Sequence, residues 1–461
     1  MADESYTPQE MLEVDDELME DLRDLILSKS DYLIKNILND LYPTDIAHII
    51  NRLEFNEGDY LFSLLTTEDQ GKVIVELDDE HREHFLETLK SQQISDIVEE
   101  LPSDEATDIV SELSEEKAEQ VLDELSAEDS SDLQELLKYD ENTAGGLMQK
   151  EVITVHSHDT VKKAIQAVRR SAKEHGAEHL YNVFVLDDNS VVVGMIPVST
   201  LILLSPNRKI YKVMDQDIVT VLSSMDQEDV ARVFKKHDAV SLPVVDNGGR
   251  LLGRITVDDV VDVLQEEHDE DVAHLIGSDA DELENRSPSQ VALMRLPWVL
   301  ITLFIELLAG LVIHQFDATL SQIILLASFM PVISAISGNT GLQSAAIIVR
   351  GLATGHVDLK NWVIPVRRQM QTSLIIGASC GFVISVVGAI WYGKLLFGAV
   401  VGTSMFISIN ISGLVGTTVP MISKSLGFDP AITAGPFETA FQDVVGISIF
   451  LGMATSLLHW L

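Results

Sequence analysis

The chain has 461 residues, of which 46% are hydrophobic, and carries 31 basic against 73 acidic side chains for a net charge of −42. A negative excess of that size excludes nucleic acid and anionic lipid headgroups as binding partners, and it makes a compact soluble part costly unless cations neutralise it. The single Cys380 excludes an intrachain disulfide framework. The acidic start Met1-Ala2-Asp3-Glu4-Ser5 has no apolar run after it, so no signal peptide is expected and the soluble part should stay in the cytoplasm.

Charge is divided unevenly along the chain. From Pro288 onward there are seven basic and six acidic side chains, which leaves 24 against 67, a net of −43, in the residues before it. The whole acidic excess belongs to the soluble part, and divalent cations are the natural neutralisers.

The first predicted elements form a repeat. Leucines stand at 41, 53, 65, 77, 89, 101, 113, 125 and 137, a spacing of twelve. Apolar residues cluster just before each one, as in Asp96-Ile97-Val98-Glu99-Glu100-Leu101, and turn or cap signals such as Pro102-Ser103-Asp104-Glu105 and Ser114-Glu115-Glu116 fall between. About eight helical residues and a four-residue turn fit the period, so a small superhelical solenoid of short helices is expected over residues 25–137.

After Ala144-Gly145-Gly146-Leu147-Met148 the pattern becomes short β-branched strands alternating with helices, in two copies. Ile153-Thr154-Val155 matches Val219-Thr220-Val221, and each leads to an amphipathic helix at Val161 or Val230. A strand pair around a turn follows, Val183 to Asn189 in one copy and Leu242 to Gly249 in the other. This resembles a tandem pair of CBS domains. Gly253-Arg254-Ile255-Thr256-Val257-Asp258-Asp259 is similar to the CBS segment whose Thr and Asp hold a nucleotide ribose, which implies Thr256 and Asp259 as nucleotide contacts; the first copy has Pro197 and Thr200 there. CBS pairs are regulatory modules, so the resemblance implies ligand sensing.

Next comes an acidic helix. Asp259, Asp262, Glu266 and Glu270 fall along one helical face at steps of three and four, with Glu267 and Asp271 beside them. Like charges so placed repel, and a hard divalent cation with oxygen ligands would relieve the repulsion.

Five apolar stretches follow, at roughly 293–315, 319–348, 370–392, 395–421 and 431–459, each long enough to span a bilayer. Arg350, Lys360, Arg367 and Arg368 gather in one connection and Lys424 lies in another, which puts both on the cytosolic side. Small residues such as Gly377, Gly381, Gly388, Gly413 and Gly416 suit close helix packing. Pro331 and the run Gly338-Asn339-Thr340-Gly341 are expected to loosen the second span, and Pro430, Gly435 and Pro436 to interrupt the fifth. Asp443 lies about 18 Å into that fifth span at about 1.5 Å per residue, near the middle of the hydrocarbon core. A charge there costs roughly 2.5–3.5 kcal/mol, so it should face water or a cation. A single carboxylate cannot hold a divalent ion, and two-fold pairing of two Asp443 side chains predicts a homodimer with a central pore.

This order of parts, with Gly-Asn-Thr-Gly and Asp-Pro-Ala…Gly-Pro-Phe…Asp in the spans, resembles the MgtE family of magnesium channels over nearly the whole chain. The resemblance implies that Asp443 is the pore carboxylate, that Asn339 and the backbone at Thr439 line the ion site, and that Asp429 sits at the cytosolic mouth. It also implies that the connecting helix is a plug held near Asp429 by Glu267, Glu270 and Asp271. Asp238 and Asp262 would bind Mg²⁺ in the CBS region, and Asp259 would face the N-domain, with Asp104 as its partner. The family usually has an apolar and a small residue where this chain has Glu438 and Gln442. Those two could be an extra ligand, a hydrogen-bonded pair, or a mark of altered gating or ion preference.

The expected fold is a multi-domain membrane protein: an acidic α-helical superhelical N-domain (1–140), tandem α/β CBS domains (141–265), an acidic connecting plug helix (266–290) and a five-helix transmembrane pore domain (291–461). The expected function is Mg²⁺ uptake across the cell membrane as a homodimer, with Mg²⁺ as transported and regulatory ion and ATP as a possible CBS ligand. A proton- or sodium-coupled transporter and a nucleotide-sensing receptor are the alternatives. No nucleophile arrangement or phosphate-binding loop points to an enzyme.

Overall fold

The structure is a computed structural model that describes residues 16–174, 176, 180–276, 278 and 288–460. The chain divides into two compact units, residues 1–263 and 264–461. Part of the expected connecting segment, residues 279–287, lies outside the described residues.

The first unit begins with ten short helices: α1 Asp16–Leu27, α2 Asp31–Leu38, α3 Pro43–Ile50, α4 Phe55–Phe62, α5 Thr67–Val75, α6 Asp79–Thr88, α7 Ser91–Val98, α8 Ser103–Ser111, α9 Glu115–Glu124 and α10 Ala127–Leu136. The repeated leucines fall in the turn after each helix from α2 to α10. Ile49, Ile50, Leu61, Val73 and Ile74 are fully buried, and Phe62 stacks on Phe85 at 4.4 Å. Each helix is too short to be stable alone, so this shared core is what holds them. Thr66, Asp78 and Ser126 cap helices, accepting the backbone N–H of Asp69, His81 and Asp129.

Two expected caps are not made. Ser114 stands at the N-cap of α9 without a side-chain bond, and Pro102 takes the N-cap of α8. Ser103 is drawn elsewhere: its hydroxyl donates to Glu151 at 2.9 Å and accepts the Lys150 N–H at 2.7 Å, which ties the repeat to the following module.

That module is duplicated. In the first copy β1 Thr154–His156 leads to α11 Val161–Glu174, β2 Asn182–Leu186, β3 Val192–Pro197 and α12 Val198–Leu201. The second copy has β4 Val221–Leu222, α13 Gln227–His237, β5 Ser241–Val245, β6 Leu251–Thr256 and α14 Val257–Ile276. Each sheet has its first strand parallel to the second and the second antiparallel to the third, with a bulge at the same place, Val185/Leu186 and Val244/Val245. The turns match as well: Asp187 Oδ1 accepts the N–H of Asn189 and Val191, and Asp246 Oδ1 accepts those of Gly248 and Arg250. These backbone bonds hold both carboxyls below the usual range. Ser190 takes the left-handed conformation that Gly249 takes in the second copy, φ 63° and 77°.

In the second unit the long helices are α15 Pro288–Gln315, α17 Leu326–Ala353, α18 Val363–Tyr392 and α19 Leu395–Ser425, each long and apolar enough to cross a membrane. A short α16 Asp317–Gln322 precedes α17. The fifth stretch is divided into α20 Pro430–Ala434 and α21 Pro436–Ser456 by a break at Gly435, as the flanking prolines lead one to expect. α17 and α19 form the centre, while α15 and α18 expose most of their surface. α18 and α19 approach through Gly381 and Gly402, where a Cβ on either would press on the other's carbonyl.

The expected loosening of the second span does not occur. α17 runs unbroken through Pro331 and through Gly338 to Gly341. Its hydroxyls are satisfied within the helix, Ser337 on the Ile333 carbonyl and Thr340 on that of Ile336. The glycine at 341 serves packing, because a Cβ there would collide with the Glu438 side chain and the Ser412 hydroxyl.

Candidate cation sites

Three groups of carboxylates can be built from these elements. The first lies inside the membrane helices. α21 carries Asp443 half-buried, and the Ser334 hydroxyl of α17 donates to its Oδ1 at 2.5 Å. Glu306, from α15, lies within hydrogen-bonding reach of the same carboxyl. Asn339 is not brought to this point. It sits five residues past Ser334, about 140° around the helix at 100° per residue, and is exposed. Thr439 falls in α21, with its side chain outside the description.

Glu438 and Gln442 are buried, 1% and 0% exposed, on the face of α21 turned to α17 and α19. Their four side-chain polar atoms have no partner in full hydrogen-bonding geometry among the described residues, although the two side chains face each other one turn apart.

The second group is at the helix break. Asp429 is the N-cap of α20: its Oδ1 accepts the Ala431 N–H at 2.8 Å, and its Oδ2 accepts a bond from His274 Nδ1 at 2.9 Å. His274 lies on the last turn of α14, four residues after Glu270, which is 3.8 Å from its Nε2. Leu275 packs on Ala345, Val349, Ala431 and Ala434. Gly435 is needed here, because a Cβ would press on the carbonyls of His274 and Leu275, at 3.1 and 2.7 Å. Glu267 and Asp271 share the same stretch of α14. The sequence reading missed His274; its one signal was a histidine spaced four from an acid inside an acidic run.

The third group lies in the first unit, along a cleft of about 760 Å³ lined by Glu76, Glu105, Glu151, Gln149, Arg254 and Asp258 among others. Asp104, 6% exposed, sits beside Asp259, and its Oδ1 makes no hydrogen bond among the described residues. Burial first, and then the charge of Asp259, push the Asp104 carboxyl well above the usual range. Glu105 is pushed up to about 7 by burial and by Asp259, Glu76, Asp108 and Asp258. Asp259 is pushed up to about 6, again mainly by burial, although the Thr256 N–H and hydroxyl each donate to its Oδ2 at 3.0 Å. Asp262 is raised by burial and Asp258. Arg254, 6% exposed, donates to Gln149 at 3.3 Å and offsets part of the charge. Asp238, the exposed left-handed C-cap of α13, lies outside the cleft lining.

Among the described residues no three His, Cys, Asp or Glu side chains converge on one coordination sphere. The carboxylate-rich groups suit a hard ion that keeps its water and is held through it.

Carboxylates kept in the middle of apolar helices, where most proteins tolerate none, place the chain among membrane proteins that pass cations. Comparison with known proteins narrows this. Residues 330–453 match a family described as a divalent cation transporter, 41–142 match the MgtE intracellular N domain, and 144–206 with 210–266 match CBS domains. The magnesium transporter MgtE of Bacillus subtilis is 33% identical over 96% of this chain and 98% of its own length, and that of Enterococcus faecalis is 35% identical over 96% and 95%. A solved cytosolic domain of the Mg²⁺ channel MgtE in complex with ATP is 29% identical, with a TM-score of 0.50 over 53% of this chain and 99% of that one. The chain belongs to the MgtE family of divalent cation transporters. It is therefore a multi-pass membrane transport protein with an intracellular N-terminal domain, and not an enzyme.

Proposed function

We propose that the protein mediates Mg²⁺ uptake as a channel whose pore carboxylate is Asp443. The observation that carries this is the mid-span aspartate, fixed by Ser334 on α17 within a helix that breaks at Gly435. The magnesium transporters of the relatives support Mg²⁺ as cargo. An ion that dehydrates reluctantly would pass in water-mediated contact with the carboxylates. Two copies of the chain, with Asn339 and the backbone at Thr439 on the shared axis, would complete the path.

Regulation follows from the acidic cleft. Mg²⁺ would bridge Asp104 and Glu105 on one side with Asp258, Asp259 and Asp262 on the other, and Asp238 would add an outlying site. Because α14 carries both Asp259 and the segment Glu267, Glu270 and Asp271 next to Asp429, ordering one end would steady the other as a plug. Cytosolic Mg²⁺ that binds the compact form more tightly than the expanded one closes the channel. A near-complete shift needs about 5.5 kcal/mol, within reach of several weak sites together. The ATP-bound relative supports adenine nucleotide as a second ligand, through Thr256 and Asp259.

A second reading, proton-coupled transport, is favoured by the proximity of Glu306 to Asp443. Flux into liposomes separates them. Fast Mg²⁺ entry without a pH gradient, suppressed by Mg²⁺ at the cytosolic face and absent in Asp443→Asn, is the expected result. Entry only with a proton gradient would replace the channel with the coupled transporter.

A further inference from the structure

Glu306 has no role in a channel whose pore carboxylate is Asp443 alone, and its position needs a cause. α15 is strongly apolar and little of it is buried. A carboxylate 18 residues into such a helix lies about 27 Å along it, well within the hydrocarbon layer. Left facing lipid, it would weaken insertion of that span by roughly 2.5–3.5 kcal/mol.

The side chain meets Asp443 instead. α15 packs along α21, and the two carboxyls come within hydrogen-bonding reach. Ser334 holds Asp443 from the third side through Oδ1. Oxygens from α15, α17 and α21 therefore converge from helices far apart in sequence. Apart from Arg295, the cationic side chains of this unit lie in the end turns of the helices or between them.

We infer that Glu306 is a positioning and selectivity residue of the ion path: with the path empty the two carboxyls share one proton and Glu306 orients Asp443, and an arriving cation displaces that proton to water and meets two carboxylates per subunit, which favours a hydrated divalent cation over a monovalent one. This rests on Asp443 being the pore carboxylate. A divalent ion, which one carboxylate cannot hold, then meets two within a single chain as well as across a dimer.

The test uses the full-length protein in liposomes and compares Glu306→Gln, Glu306→Asp and Asp443→Asn. Glu306→Gln should keep the size-exclusion profile. Its half-saturating Mg²⁺ should rise about tenfold, the order expected when one charge is removed from a water-separated divalent ion, and its preference for Mg²⁺ over Na⁺ should fall. Glu306→Asp, which keeps the charge on a shorter arm, should restore most of both. Unchanged half-saturation and ion preference in Glu306→Gln, with Asp443→Asn inactive, would overturn the inference and leave the pore reading standing. If Glu306→Gln does not fold, Glu306→Ala is read by the same two measurements, and wild-type half-saturation and ion preference in it overturn the inference. Normal flux in Asp443→Asn would overturn both.

Discussion

The acidic cleft makes the stability of the soluble part depend on pH in a direction opposite to that of most salt-bridged proteins. Glu105 rises from 4.5 to about 7 and Asp259 from 3.8 to about 6 on folding. A folded-state pKa above the unfolded one means that the folded form binds more protons between about pH 4 and pH 7. Its added stability is complete below that window and is lost as the pH climbs through it. At about 1.4 kcal/mol per pH unit the two carboxyls correspond to about 3 kcal/mol each. Because their mutual repulsion is counted in both, and water still reaches them, about 4 kcal/mol for the pair is the working figure. For a domain of this size that is roughly 10 °C in Tm. The measurement is thermal unfolding of isolated residues 1–276 in buffers from pH 5 to 8. The midpoint should fall by about that amount as pH rises, and millimolar-range Mg²⁺ at pH 8 should recover much of it. In the Glu105→Gln, Asp259→Asn double variant the slope should flatten and the pH 8 midpoint should rise. A midpoint that is constant or increases from pH 5 to 8 would refute the reasoning, since it would mean the cleft does not concentrate charge at a cost.

Two further outcomes test the membrane unit. Gly416→Ala should cost at least about 1–3 kcal/mol and sharply lower the yield of monodisperse protein, because its Cβ would drive into the Gly341 backbone; Gly388→Ala, with 3.3 Å to the nearest atom, should be much milder, and equal yields would contradict the packing. His274→Ala removes the bond to Asp429, worth about 1–2 kcal/mol, so amide exchange over the last two turns of α14 should speed up roughly 5- to 30-fold. An unaltered exchange rate there would show that His274 does not hold the helix end.

What could be read in the sequence was whatever repeats or stays local. The twelve-residue leucine spacing, the two α/β copies and the proline-flanked break at Gly435 each declare themselves within a few dozen residues, and each is present in the fold. The site contacts are of another kind. Ser334 and Asp443 are 109 residues apart and His274 and Asp429 are 155 apart, so no local pattern pairs them. The glycines of α17 show why composition misled. A glycine among polar residues can open a helix or let a neighbour come close, and only the neighbour decides which. At Gly341 the neighbours are Glu438 and Ser412, and the helix stays closed. Ser103 is a similar case: a hydroxyl that could cap its own helix finds Glu151 and the Lys150 N–H within reach.

The helical repeat of the N-terminal part has an arithmetic of its own. From α3 onward the strongest packing runs to the helix two steps along, α3 on α5, α5 on α7, α7 on α9, and α8 on α10, so alternate helices build two interleaved columns, while α1 packs on α2 and α4. The natural increment of this domain is therefore a pair of helices, about 24 residues, and not the twelve seen in its leucines. Loss or gain of one twelve-residue unit would swap the columns beyond it and turn the Asp104 and Glu105 face away from Asp259, whereas a change of two units would lengthen or shorten the arm and leave that face where it is. Relatives built on this plan should vary in even numbers of helices, and any insertion of an odd number should be found before α3 or not at all.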